Sequence, residues 1–232
     1  MAATPVHESY YLAADVRELD RLAIEEFGIP GFTLMQRAGQ AAFTALLSRW
    51  PDTQKVICYC GGGNNGGDGY VIAALAVKAG LQATVIAVGR PGSLKGDAAS
   101  ARDLALACNV PILPFDNPHG NFGNHVVLVD AMLGTGLTGP ARAPYADAID
   151  QVNALPYPVL AVDIPSGLSS DTGDGFGKCV AADLTVTFIG RKLGQVKGQG
   201  PAVCGEVVFD DLGVPASIYR QVAAAAMMPA RA

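Results

Sequence analysis

Residues Val56 to Leu75 carry the pattern that most restricts the fold: an apolar run, a cluster of glycines, then an alanine-rich run. Val56-Ile-Cys-Tyr-Cys60 has strand length and is too short for a free-standing helix. Gly61, Gly62 and Gly63 end it, because glycine reaches backbone angles that side chains forbid. A helix is expected from Asp68 to Lys78, with Val71 and Leu75 at helical spacing and Gly80 as its stop. A strand feeding a helix through glycines leaves unpaired N–H groups at the turn, with the positive end of the helix dipole behind them. That is an anion site in outline. A tight βα turn with no ligand would use the same glycines, so the turn alone does not decide the matter.

The Asn64-Asn65-Gly-Gly-Asp68 segment adds what a turn does not require: two amides and a carboxylate among glycines. The lysine and Ser/Thr of a phosphate-binding P-loop are absent, so nucleoside triphosphate cleavage is not indicated. Gly61, Gly63 and Gly66 do fit the G-x-G-x-x-G spacing of a dinucleotide fold. An NAD-dependent dehydrogenase would then place an acid after the next strand. Here Gln82–Val88 runs into Gly89-Arg90, which argues against that oxidoreductase reading.

With this turn in view the sequence resembles the NAD(P)H-hydrate epimerase family, the YjeF N-terminal domain. The resemblance rests on Gly61-Gly-Gly-Asn-Asn-Gly-Gly-Asp-Gly69, on Val129-Asp-Ala-Met-Leu-Gly-Thr-Gly-Leu-Thr-Gly-Pro140 and on Ala161-Val-Asp-Ile-Pro-Ser-Gly167. Weaker similarity on either side extends it over nearly the whole chain. Leu34-Met-Gln-Arg-Ala-Gly39 is similar to a further family segment, with Gln36 where glutamate is common.

The 232 residues suit one α/β domain, and a composition that is half hydrophobic and 16% charged can fill a sizeable core. A net charge of −5 argues against nucleic acid or an anionic membrane as partner, both of which need a basic face. Apolar runs are broken well before about 20 residues, so no membrane span is expected. Met1–Glu8 lacks the basic start and apolar stretch of a secretory signal. The five cysteines (Cys58, Cys60, Cys108, Cys179 and Cys204) are odd in number and scattered, which argues against a disulfide framework and fits a reducing cytoplasm. His7, His119 and His125 are not at metal-ligand spacing, so Cys58 and Cys60 read as small buried residues.

Two helices precede the first strand. The first covers about 11–27, with Leu12, Val16, Leu19, Ala23 and Phe27 on one stripe; the second runs from about Gly31 to Trp50. Strands are expected at 82–88, 111–115, 126–130, 158–163, 183–189 and 205–210, and helices at 96–108 and 144–155. The expected architecture is an α/β, Rossmann-like three-layer α/β/α sandwich with a mostly parallel central sheet and two extra N-terminal helices. It is one domain over 1–232: a helical addition at 10–50, a core at 55–215 and a fraying tail at 216–232. Asp130 and Asp163 each end an apolar strand ahead of a Gly- or Pro-containing turn. A lone aspartate there is usually a cap or turn former. In a parallel sheet, though, strand ends line the ligand crevice, which would gather both with the Gly61–Asp68 turn.

The resemblance implies a reaction. The family interconverts the R and S epimers of hydrated NADH and NADPH, whose nicotinamide carries a hydroxyl at C6, so that a separate ATP- or ADP-dependent dehydratase can finish the repair. It implies substrate contacts from Asn64, Asn65, Gly66, Gly67 and Asp68, from Gly134, Thr135, Gly136 and Leu137, from Thr138, Gly139 and Pro140, and from Asp163. It implies one K+ per subunit, held by Asn65, Asp130 and Ser166, and a homodimer. Either loss and re-addition of the C6 oxygen or ring opening and closure would need a proton carrier. Asp163, just ahead of Pro165, is the candidate, with Lys192 as an orienting charge or simply a solvated loop lysine. Nothing after residue 215 resembles the dehydratase. The competing function is a non-catalytic nucleotide-binding or protein-interaction module of the same fold.

Overall fold

The computed structural model describes residues 9–90, 94–116 and 120–227. Met1–Glu8, His119 and the last residues of the tail lie outside them. Seven strands form one sheet: β2 (Lys55–Cys60), β3 (Gln82–Ala87), β4 (Ile112–Pro114), β5 (Val126–Ala131), β6 (Val159–Val162), β7 (Leu184–Phe188) and β9 (Glu206–Asp210). Their spatial order is β4-β3-β2-β5-β6-β7-β9, and every neighbouring pair is parallel. Parallel strands need covered faces, and both are covered. Val56, Cys58 and Cys60 face the helices α2 (Gly31–Arg49), α3 (Asn64–Lys78) and α4 (Gly96–Ala107), while Ile57 and Tyr59 face α5 (Tyr145–Ala154). The two-residue alternation along β2 is the strand period.

The chain works outward from β2 through β3 to β4, then returns to lay β5 on the other side of β2. This reversal is a topological switch point, and in parallel sheets ligands bind at the strand ends there. In register, Cys60 stands beside Ala131 and Tyr59 beside Asp130. The sheet is thus of the expected kind, and its parallelism is complete.

Two features differ from the sequence expectation. The helix after β2 begins at Asn64 rather than Asp68. Gly63 is extended (φ −116°, ψ −166°), and the Gly67 N–H already donates to the Gly63 carbonyl at 3.1 Å. Asn and Gly are poor helix formers, but packing overrides them here. A Cβ on Gly66 would stand 2.0 Å from the Gly61 carbonyl oxygen, and one on Gly67 would meet the Met35 side chain at 2.6 Å. These glycines let the first turns of α3 lie against backbone and against α2.

The second difference is a small sheet in the order β10-β1-β8, built from Ala226–Met227, Ser9–Tyr11 and Arg191–Lys192. Strands of two or three residues have too few positions to show a period. β1 leads into α1 (Ala13–Glu25), whose Leu19 and Ala23 are fully buried. α1 stops at Glu25, so Phe27 lies beyond the stripe and is 37% exposed.

Candidate active site

A cleft of about 590 Å³ opens at the carboxyl ends of β2 and β5, within the range of small-molecule sites. Its walls come from α1, the start of α3, the loop after β5, the turn after β6 and the β7–β8 turn.

Asn64, Asn65 and Asp68 line it from α3. The first-turn N–H groups of a helix have no intrahelical partner and carry the positive end of its dipole. The Gly67 N–H is spent inside the helix, so the donor set is centred on the first turn and does not extend along the whole of 64–68. Asn65 is the unusual residue. Its Oδ1 and Nδ2 are both buried and have no hydrogen-bond partner. A buried unpaired amide costs about 1–3 kcal/mol, so the position asks for a ligand. Gly134 passes beside it, and a Cβ there would lie 3.8 Å from Asn65 Oδ1.

Asp130 and Ser166 form the floor, and both are fully buried. Ser166 donates its N–H to Asp130 Oδ2 at 2.7 Å and its hydroxyl to Oδ1 at 2.5 Å, and the Met132 N–H reaches Oδ1 at 3.2 Å. Burial pushes the Asp130 carboxyl up to about 6, against the pull of the Ser166 and Met132 hydrogen bonds. The Leu133 N–H donates to Ser166 Oγ at 2.8 Å, which ties the loop after β5 to the turn after β6.

Asp163 follows β6 immediately and has φ +68°, a left-handed conformation uncommon for a residue with a side chain. Its backbone is pinned on both sides. The N–H donates to the Val186 carbonyl at 2.7 Å, and the carbonyl accepts from Gln195 Nε2 at 3.0 Å. Its carboxylate is ion-paired to Lys192, whose side chain is 1% exposed against 17% for Asp163. Lys192 also donates to Thr187 Oγ1 at 3.0 Å and to the Phe188 carbonyl at 3.1 Å. Thus Lys192 is a fully buried group with all three protons placed, not a solvated loop lysine. Every hydrogen bond to the Asp163 carboxylate arrives on Oδ1, and among the described residues Oδ2 takes none.

The structure brings together Asn64, Asn65, Asp68, Gly134, Thr135, Gly136, Leu137, Asp163 and Lys192 around the cleft. Asp130 and Ser166 lie under it. Gly66 and Gly67 serve the packing of α3, and Thr138, Gly139 and Pro140 do not line the cavity.

Residues 31–194 match the family described as YjeF-related protein N-terminus. The chain belongs to this family. It is similar to the NAD(P)H-hydrate epimerase of Limosilactobacillus fermentum, at 38% identity over 89% of this chain and 98% of that one. The NAD(P)H-hydrate epimerase of Legionella pneumophila, strain Philadelphia 1, is 35% identical over 94% of this chain and 82% of its own length. The bifunctional NAD(P)H-hydrate repair enzyme of Coxiella burnetii is 49% identical over 91% of this chain, which spans 43% of that longer protein. Among solved structures, the yeast protein ynu0 superimposes with a TM-score of 0.78 over 91% of this chain at 19% identity, which shows a shared fold.

Tyr145, Asp97 and Asp20 are among the cleft residues of this YjeF-related chain that the sequence did not single out. Tyr145 opens α5, and its hydroxyl lies 3.4 Å from the Gly62 N–H. Nothing in its surroundings along the chain marks it. Asp97, at the start of α4, and Asp20, on α1, also line the cleft. Asp20 did leave a signal: it stands four residues after Val16, on the flank of the stripe that α1 buries.

Proposed function

We propose that this chain is an NAD(P)H-hydrate epimerase, equilibrating the R and S forms of hydrated NADH and NADPH. The observation that carries the reading is the Asp163–Lys192 pair at the inner end of a cleft at the switch point of the sheet. The names of relatives aligned over most of their own length support it.

The first turn of α3 and the Gly134–Leu137 backbone supply neutral donors for a diphosphate, and Asn64 and Asn65 frame that end. At C6 the departing oxygen must take up a proton, and the water that returns must give one up. Ring opening would make the same demand of the hydroxyl. Asp163 is the group that meets the substrate, with Oδ2 left open for it. Lys192 holds Oδ1 through the ion pair and so fixes the orientation of the carboxylate towards the substrate.

The floor fits a monovalent cation. Asn65 offers an orphaned amide oxygen, Asp130 a buried carboxylate and Ser166 a hydroxyl, an all-oxygen set suited to a hard ion such as K+. When bound, K+ would supply positive charge beneath a diphosphate in a cleft that already holds several carboxylates.

Relatives named as bifunctional repair enzymes, in Coxiella burnetii and Escherichia coli, support a dehydratase as functional partner. The five cysteines are free thiols, and among the described residues no helix is long and apolar enough to cross a membrane; both suit a cytoplasmic setting. The homodimer rests on the family resemblance, and light scattering on the purified protein tests it. The decisive experiment adds purified protein to a single epimer of hydrated NADH and follows the epimer ratio by chromatography. Faster equilibration is expected. An unchanged ratio with bound nucleotide would favour the non-catalytic module.

A further inference from the structure

Three aspartates meet at the inner end of the cleft around one buried lysine. Asp163 and Lys192 satisfy each other. Asp68 comes from α3 and Asp20 from α1. Asp20 is mostly buried, yet among the described residues it accepts no hydrogen bond and makes no ion pair. It is firmly placed nonetheless. The flanking Leu19 and Ala23 are fully buried, and the first N–H of α1 donates to Asp171 Oδ1 at 2.6 Å.

Epimerisation at a single carbon needs proton handling on both faces of the ring. Oxygen leaving one face must be protonated there, and water adding to the other must be deprotonated there. Asp163 is fixed at its backbone by Val186 and Gln195 and at Oδ1 by Lys192, so it serves one face. The second carboxylate has to come from another wall. α1 provides it.

We propose that Asp20 is the second acid–base residue of the reaction, serving the face of the nicotinamide that Asp163 does not. The proposal rests on the epimerase reading. In one direction the Asp20 carboxylic acid gives its proton to the C6 hydroxyl. The C6–O bond breaks with its electron pair, water departs, and the N1 lone pair forms the C6=N1 iminium. Water then adds to the other face, N1 recovers its pair, and the Asp163 carboxylate takes the released proton. The reverse turnover exchanges the two roles and restores both groups.

The groups around Asp20 suit this division. Burial pushes its carboxyl up to about 6, the Lys192 charge opposes that, and the Asp163 charge reinforces it. Burial also raises the Asp68 carboxyl, with the Asp163 and Asp20 charges adding to it and the Lys192 charge opposing it. Arg17 on the same helix and Asp97 on α4 line the cleft, and Tyr219, whose hydroxyl donates to the Ile189 carbonyl at 2.8 Å, feels the Asp20 charge. A carboxyl raised by burial suits the acid role at one wall while a second carboxylate faces the cleft from another.

The test compares wild type, Asp20→Asn and Asp20→Glu for epimer equilibration between pH 5 and 9, with NADP+ affinity measured by calorimetry. Wild type is expected to slow above about pH 6, and Asp20→Asn to slow equilibration about 100-fold or more, leave NADP+ affinity unchanged and abolish that fall. Asp20→Glu is expected to recover part of the rate with that fall displaced. An Asp20→Asn rate close to wild type, or a slow variant whose pH profile keeps its wild-type shape, would overturn the role. If Asp20→Asn does not fold, Asp20→Glu decides: a displaced limb supports the proposal and an unmoved one overturns it. A wild-type protein that leaves the epimer ratio unchanged defeats the epimerase reading itself, and this inference with it.

Discussion

Lys192 and Asp163 form an ion pair with unequal access to solvent, the ammonium sealed at 1% exposure and the carboxylate 17% exposed at the cleft. The lysine approaches from behind, and the aspartate faces the substrate. Asp163→Asn is therefore expected to reduce epimerisation at least about 1000-fold while NADP+ binding, read by calorimetry, persists. Retained turnover would remove Asp163 from the chemistry.

Removing the other partner has a different cost. Lys192→Met leaves the carboxylate largely enclosed without its counter-charge, which should destabilise the fold by about 3 kcal/mol in urea denaturation. The double variant Asp163→Asn/Lys192→Met should lose less than the sum of the two single changes. Strict additivity would mean the two groups act independently.

The floor makes a prediction about ions. Potassium chloride should raise the melting temperature above that in tetramethylammonium chloride at equal ionic strength, because an ion bound only by the folded state stabilises it. Asn65→Leu should abolish the difference by removing the orphaned amide oxygen. A potassium effect that survives the substitution would move the ion elsewhere.

Asp20 gives a stability signature with a definite sign. Its folded value, about 6, lies above the ordinary aspartate value, so folding is favoured while the group is neutral. That contribution is present below about pH 4 and is lost as pH rises through 6. Asp20→Asn should therefore be more stable than wild type at pH 8, by on the order of 2 kcal/mol, and equal to it near pH 4. Denaturant titrations at the two pH values read the difference.

The glycines of the opening turn divide into two kinds. A methyl group on Gly61 would stand 1.9 Å from the Met132 carbonyl oxygen, whereas nothing lies within 4 Å of one on Gly63. Gly61→Ala should cost about 3 kcal/mol or more, since backbone has to give way, and Gly63→Ala should be close to neutral.

Much of this could be read from the residues. The run Val56–Cys60 and the aspartates that close the strand regions at 130 and 163 announced a parallel sheet with a site along one edge, because buried strands are uniformly apolar and a charge at their end is conspicuous. The start of α3 could not be read. Asn64 to Gly69 discourages a helix locally, and only contact with the Gly61 carbonyl, Met35 and Cys60 makes those glycines necessary. Lys192 was ambiguous for a similar reason: it sits in a two-residue strand, too short to be patterned, whose partner β1 lies far away in the chain. Asp20 was legible only as a charge on the flank of the stripe that α1 buries, and its place in the cleft needed the fold.

The pairing of Tyr11 with Lys192 across β1 and β8 has a practical corollary. The first described strand of the chain clamps the backbone of the buried lysine and leads directly into the helix that carries Asp20. Trimming the amino terminus as far as Leu12, by protease or by cloning choice, would then loosen the reaction centre from a distance in sequence and silence a preparation whose central sheet remained sound.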